Sequence, residues 1–211
     1  MIISSCTKQR MVFTQKLLEE EFYLFPCSEE NKPLLDIENY QKELRKFNNS
    51  MRLDEGMLEF TLKNNLAIPT GSMNRLIVVD VDVEYHGTKV WKTMLRRYNE
   101  GQDINTLRVQ TPGGGFHYYF CYTDEMFLKW DSIYRPTFRG FGKAGIDLII
   151  ENGYVMSPYS LKNELLYLPI NYFSNLGIRN QIKSIPNWLY YLFCNTEEAR
   201  INLMQNRYSL K

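Results

Sequence analysis

The stretch Leu76-Ile77-Val78-Val79-Asp80-Val81-Asp82-Val83 decides how this chain folds. Its β-branched run predicts the most strand-like element in the sequence, and two acids interrupt it. Side chains two apart on a strand share a face, so Asp80 and Asp82 project side by side. Carboxylates held that close repel one another, which costs stability unless a cation or a proton lies between them. The alternative reading puts both acids on the solvent side of a half-buried strand.

Working outward, Tyr85-His86-Gly87 reads as a turn and Thr88 as an N-cap. Val90, Trp91, Met94, Leu95 and Tyr98 then recur at helical spacing up to a stop at Gly101. Leu107–Thr111 and Phe116–Tyr122 read as strands joined by Pro112-Gly113-Gly114-Gly115, a hairpin with Phe116, Tyr118 and Phe120 on one face and His117, Tyr119 and Cys121 on the other. Residues 124–143 read as irregular. Gly145–Ile150 and Gly153–Ser157 predict a further hairpin around Glu151-Asn152, and Tyr167–Pro169 a short strand.

Before the acidic strand, Phe13–Glu21 reads as a short helix and Phe22–Pro26 as a strand. Two helices follow at 37–47 and 54–64, separated by Asn48-Asn49-Ser50, and then a short strand ending at Pro69-Thr70-Gly71. From Asn171 the chain reads as mainly helical, with one helix opened by Ile185-Pro186 and a last one from Thr196. Helices first, then a mostly antiparallel sheet with one long crossover helix, make an α+β fold.

The 211 residues, 44% hydrophobic and 14% aromatic, suffice for a sizeable core and exclude a disordered chain. The net charge of +1 gives no global signature for nucleic acid, so any such contact rests on a local patch. Cys6, Cys27, Cys121 and Cys194 are scattered and, with His86 and His117 alone available, do not read as a structural zinc site. No stretch approaches a membrane span or a signal peptide, so the expectation is an intracellular, cytoplasmic, reduced setting with no membrane partner.

Asp147 again places an acid inside an apolar strand, Gly145-Ile146-Asp147-Leu148-Ile149-Ile150, where it is expensive without a partner. Beside the Asp80 strand it would bring three carboxylates together, a donor set suited to Mg²⁺ or Mn²⁺. A partner arginine or backbone amide is the alternative. The amides of Gly114 and Gly115, unhindered by a Cβ, offer a geometry for phosphate oxygens, although a hairpin turn needs glycine without any ligand. His117 follows on a face shared with the acids, either as a triphosphate contact or as a half-buried structural histidine. Lys143, and Arg139 before it, would add positive charge to the phosphates or else remain solvated.

Taken together, Asp80-x-Asp82, Thr111-Pro112-x-Gly114-Gly115-x-His117-x-x-Phe120 and Ile146-Asp147 resemble the three motifs of the archaeo-eukaryotic primase superfamily. The closest branch is the bifunctional primase–polymerase domain of plasmid, phage and viral replication proteins. Flanking pieces agree in order: Phe25-Pro26, Lys32-Pro33, Pro69-Thr70-Gly71, Gly153-Tyr154-Val155-x-x-Pro158-x-Ser160 and Ile185-Pro186-x-Trp188-Leu189. The chain departs from the family's usual pattern at Gly113, where a small hydroxyl residue is common, and at Leu148, where arginine is common.

The resemblance implies an N-terminal α/β module plus an RRM-like, mostly antiparallel sheet forming a catalytic core over residues 1–170, with a short helical segment over 171–211. It implies a DNA primase or polymerase in replication, with Asp80, Asp82 and Asp147 as catalytic metal ligands for Mg²⁺ or Mn²⁺. His117 would contact the incoming nucleotide's phosphates, and Gly114, Gly115, Lys143 and Ser160 would shape the same pocket. The implied partners are a single-stranded DNA template, ribo- or deoxynucleoside triphosphates, and a replicative helicase in trans or fused downstream. Lys129, Arg135, Arg179 and Lys183 are the candidate template contacts. Two rival readings are a catalytically silent single-strand- or origin-binding module and a metal-dependent nuclease.

Overall fold

The computed structural model describes residues 5–35, 40–53, 63–123, 137–138, 145–151 and 153–194. Most of the helix expected over 54–64, the segment 124–143 apart from 137–138, and the last helix from Thr196 lie outside these residues. The described chain opens with α1 (Ser5–Glu19), β1 (Phe25–Cys27), α2 (Tyr40–Leu53), β2 (Asn65–Pro69) and β3 (Leu76–Val81). A 3-10 turn (Glu84–His86) leads into α3 (Gly87–Tyr98), then β4 (Arg108–Gln110), β5 (Phe116–Cys121), β6 (Thr137–Phe138) and β7 (Ile146–Ile149). β8 (Tyr154–Met156), β9 (Leu161–Lys162), β10 (Leu165–Leu166) and β11 (Leu168–Pro169) follow, then α4 (Ile178–Gln181), β12 (Lys183–Ser184) and α5 (Asn187–Cys194). The fold is α+β, as the sequence predicts. Among the described residues no helix is long and apolar enough to cross a membrane.

β3 is the middle of the larger sheet, ordered β11-β4-β5-β3-β7-β6, with β12 lying parallel beside the end of β5. The smaller sheet, β1-β2-β8, is antiparallel throughout. β3 is covered on both faces, which is why its sequence is apolar almost without interruption. Ile77, Val79 and Val81 pack with Trp91, Met94 and Leu95 of α3 and with Ile185, Leu189 and Phe193. Leu76 and Val78 join Tyr119, Phe13 and Leu17 of α1, and Leu66 and Ile68 of β2. Burying each such side chain is worth about 1.5–3 kcal/mol. A one-residue slip of β3 would turn both sets to the wrong face, so packing locks Asp80 onto the face of Leu76 and Val78.

Three expectations are corrected. α2 runs through Asn48-Asn49-Ser50 without a break. Asn48 is fully buried, and its amide bonds both the N–H and the C=O of Leu24, at 2.8 and 2.7 Å. A residue that reads as a helix breaker thus ties α2 to the chain entering β1. Second, β7 and β8 are not a hairpin, because the chain crosses there from the large sheet to the small one. The crossing runs beside the reverse crossing from β2 to β3. Thr70 bonds the Gly153 and Ile150 carbonyls, and the Glu151 carboxylate accepts from the N–H and hydroxyl of Ser72. Third, the helical segment after Asn171 also supplies β12 to the large sheet.

Candidate active site

Strand register brings three of the predicted site residues into one row. Asp80 pairs with His117 of β5 on one side and with Asp147 of β7 on the other. Directly opposed residues on antiparallel strands carry their side chains on one face, with Cβ atoms about 4.5–5.5 Å apart. The row lies on the face of the large sheet that packs against α1 and the small sheet, where that core gives way to solvent. His117 is buried, the Asp80 side chain is 25% exposed, and Asp147 is half-buried. Asp82 stands one residue beyond the end of β3, where its N–H donates to the Gly145 carbonyl at 2.8 Å and carries the ladder one step further.

The electrostatics follow from this crowding. Burial, and then the charge of Asp82, push the Asp80 carboxyl up to about 7. Burial pushes His117 down to about 4 against an opposing pull from Asp82. His117 Nε2 lies 3.6 Å from Asp80 Oδ1, and with the imidazole neutral at pH 7 this is a polar contact, not an ion pair. Its Nδ1 is buried with no hydrogen-bond partner among the described residues.

Two side chains that sequence reasoning missed complete the wall. The Tyr167 ring lies 5.8 Å from that of His117, and its hydroxyl accepts a bond from Asn31 Nδ2 at 3.1 Å. Burial first, then the charge of Asp80, push Tyr167 up to about 12. Neither residue carried a signal in the sequence. Asn31 falls in a polar loop and Tyr167 between the short strands β10 and β11, and only the fold brings them to the acids.

The glycine turn is set against the acids by packing. A Cβ on Gly115 would stand 2.3 Å from the Val81 carbonyl oxygen and 3.3 Å from Asp82 Cα, so only glycine lets the turn close on the end of β3. The amides expected to face phosphates are engaged otherwise. Gly114 donates to the Thr111 carbonyl at 2.9 Å and Gly115 to Thr111 Oγ1 at 3.1 Å. On the other side of Asp82, α3 begins at Gly87 with His86 as N-cap, not at Thr88. A Cβ on Gly87 would lie 1.9 Å from the Gly145 carbonyl and 2.3 Å from that of Asp82, so the start of the helix is fixed by this approach and not by a capping hydroxyl.

The other predicted contacts divide. Ser160 is fully buried, with its hydroxyl donating to the Leu66 carbonyl at 3.1 Å and accepting from the Leu66 N–H at 3.4 Å. It anchors β2 and offers a nucleotide no solvent-facing group. Lys143, with Lys129, Arg135 and Arg139, lies outside the described residues. Arg179 and Lys183 belong to α4 and β12, beside the opposite end of β5.

The donor set suits a hard divalent cation, because the register aligns Asp80 with Asp147, and ionised Asp80 is disfavoured by burial and by Asp82. Among the described residues no three His, Cys, Asp or Glu side chains are already gathered as a coordination sphere. What the fold provides is the backbone alignment of the acids. Over residues 14–188 the chain matches the family described as bifunctional DNA primase/polymerase, N-terminal. No curated protein matches it.

Proposed function

The chain belongs to the bifunctional DNA primase/polymerase N-terminal family, and from that premise we propose that it is a template-directed nucleotidyltransferase of DNA replication whose reaction centre is the row His117–Asp80–Asp147 with Asp82. The observation that carries this reading is the double pairing of Asp80 with a histidine and a second acid. A purely structural acid in a buried strand would be matched to a cation or a donor. Asp80 is set instead beside further carboxylates and a neutral imidazole.

Asp80, Asp82 and Asp147 would hold Mg²⁺ or Mn²⁺, which when bound activates a 3′-hydroxyl and neutralises charge on the phosphates. The chain's own part is position. The ladder from β5 through β3 to β7 fixes the spacing of the acids, and the Gly115 turn and the Gly87–Gly145 contact hold Asp82 against the end of the strand. His117, neutral and with an unengaged Nδ1, would donate or accept a hydrogen bond at a nucleotide phosphate without adding fixed charge. The Tyr167–Asn31 pair lies beside the row, with the Tyr167 ring against that of His117. The substrates are a single-stranded DNA template and nucleoside triphosphates.

Labelled primer–template with Mn²⁺ and nucleotides tests this reading. The parent protein lengthens the primer, and Asp80→Ala abolishes lengthening while oligonucleotide binding survives. Synthesis by Asp80→Ala would overturn the assignment, and shortening of the strand without nucleotides would replace it with a nuclease.

A further inference from the structure

At the far end of β3 from the acids, a groove of about 360 Å³ opens between the turn before β3, the end of β5 and α4. Arg75 and Arg179 line it together with Leu76, Cys121, Tyr122 and Ile182, and no acid is among its described lining residues. Arg179 is held in one place, with the charges of Glu20 and Glu21 near it. Its Nε donates to the Glu20 carbonyl at 3.0 Å and its Nη1 to the Asn74 carbonyl at 3.2 Å, while the guanidinium lies 4.0 Å above the Phe22 ring. The Glu20 carboxylate accepts the backbone N–H groups of Ile178 and Arg179 at 2.6 and 2.8 Å. A guanidinium carries five N–H donors, and three make no hydrogen bond among the described residues. Lys183 adds a third cation, close enough, like Arg179, to draw the Cys121 thiol downward against the effect of burial.

We propose that this groove is a phosphate-binding site that grips the backbone of a nucleic-acid strand, at a distance from the acid row. The proposal rests on the reading of the chain as a protein that acts on nucleic acid. A pre-set guanidinium beside the half-buried Cys121 and the exposed Thr123 matches one backbone phosphate. A free triphosphate would call for several converging donors instead. Leu76 is four residues before Asp80, about 13 Å along the strand. That is roughly four nucleotide steps at about 3.4 Å each, so a strand gripped here lies within reach of the reaction centre.

The test uses the full chain without divalent ions and a fluorescent single-stranded oligonucleotide, with affinity followed by anisotropy across a salt series. Arg179→Gln should bind about tenfold more weakly, and its slope of log affinity against log salt should be shallower by about 0.7. Thr123→Glu puts negative charge on the groove without touching the Arg179 clamp and should also weaken binding, so it decides the matter if Arg179→Gln is unstable. Inorganic tripolyphosphate at matched phosphate concentration should not displace the strand. Parent-like affinity and salt slope in Thr123→Glu would overturn the proposal, as would full displacement by tripolyphosphate. A parent that binds no oligonucleotide overturns the nucleic-acid reading itself, whereas equal binding by parent and variants removes only the groove.

Discussion

Asp80 and Asp147, far apart in the sequence, stand directly opposite one another in the antiparallel register of β3 and β7. Like charges in that relationship destabilise a sheet. Packing keeps them there, because Ile77, Val79 and Val81 on the other side of β3 are fully buried and leave no alternative register. The fold therefore sets two acids opposite one another, a donor pair of the kind that hard divalent cations prefer.

Asp80 binds its proton more tightly in the folded chain, so its share of stability is complete below about pH 4 and is lost as pH rises through about 7. His117 acts in reverse. Its depressed folded value means that unfolding takes up a proton between about 6.5 and 4, and stability falls as pH drops through that window. The two slopes oppose each other below about pH 6.5. Asp80→Asn should leave the His117 slope alone, giving stability that rises with pH from about 4 to 6.5 relative to the parent, and a gain of roughly 1–4 kcal/mol at pH 8. His117→Gln should fall with pH instead. Urea denaturation at several pH values checks both, and parallel profiles for all three proteins would contradict the pairing.

Divalent ions should act with the opposite pH dependence. A carboxylate must ionise to bind a metal, so Mn²⁺ should raise the melting temperature more at pH 8 than at pH 5.5. Asp80→Asn should lose most of that rise. A shift independent of pH, or one retained by the variant, would place the ion elsewhere.

The two neighbouring glycines should separate sharply. Gly115→Ala forces a Cβ toward the Val81 carbonyl and should destabilise by about 1–3 kcal/mol while reducing nucleotide incorporation. Gly113→Ala meets nothing nearer than Thr111 Oγ1 at 3.9 Å and should leave both near the parent's values. Thermal melts and incorporation assays on the pair distinguish a packing role from a phosphate-binding one.

Ser160→Ala should cost about 1 kcal/mol through the lost bonds to Leu66, whose carbonyl keeps the Ser157 N–H at 2.8 Å, with nucleotide affinity unchanged. Nucleotide binding measured by calorimetry beside a denaturation curve would show it. A weakened nucleotide affinity at full stability would restore Ser160 to the site.

The alternation in 76–83 and 116–121 was enough to assign faces, because a two-residue period survives whatever packs on it, and it placed Asp80 and His117 correctly with respect to their strands. The central crossover helix and its Gly101 stop were equally legible: Gly101 adopts a left-handed φ of +76° and its N–H returns to the Leu95 carbonyl at 2.9 Å. What the sequence hid depends on distant partners. Asn48 looks like a breaker until Leu24 is seen to use both ends of its amide. The bond of the Ser160 hydroxyl to the Leu66 carbonyl joins residues 94 positions apart, which no local pattern announces. The split of β7 and β8 between two sheets turns on Thr70 and Glu151, residues with no local pattern to betray them.

The most direct test of the central claim is single-nucleotide incorporation by Asp147→Asn in Mn²⁺. Asparagine keeps the size and the strand pairing, so only the third carboxylate is removed. If the acids opposed across β3 and β7 form the reaction centre, incorporation falls by at least about a hundredfold, with folding and oligonucleotide binding intact. Incorporation within a few-fold of the parent would contradict the account, leaving Asp147 a strand residue and Asp80 without its partner.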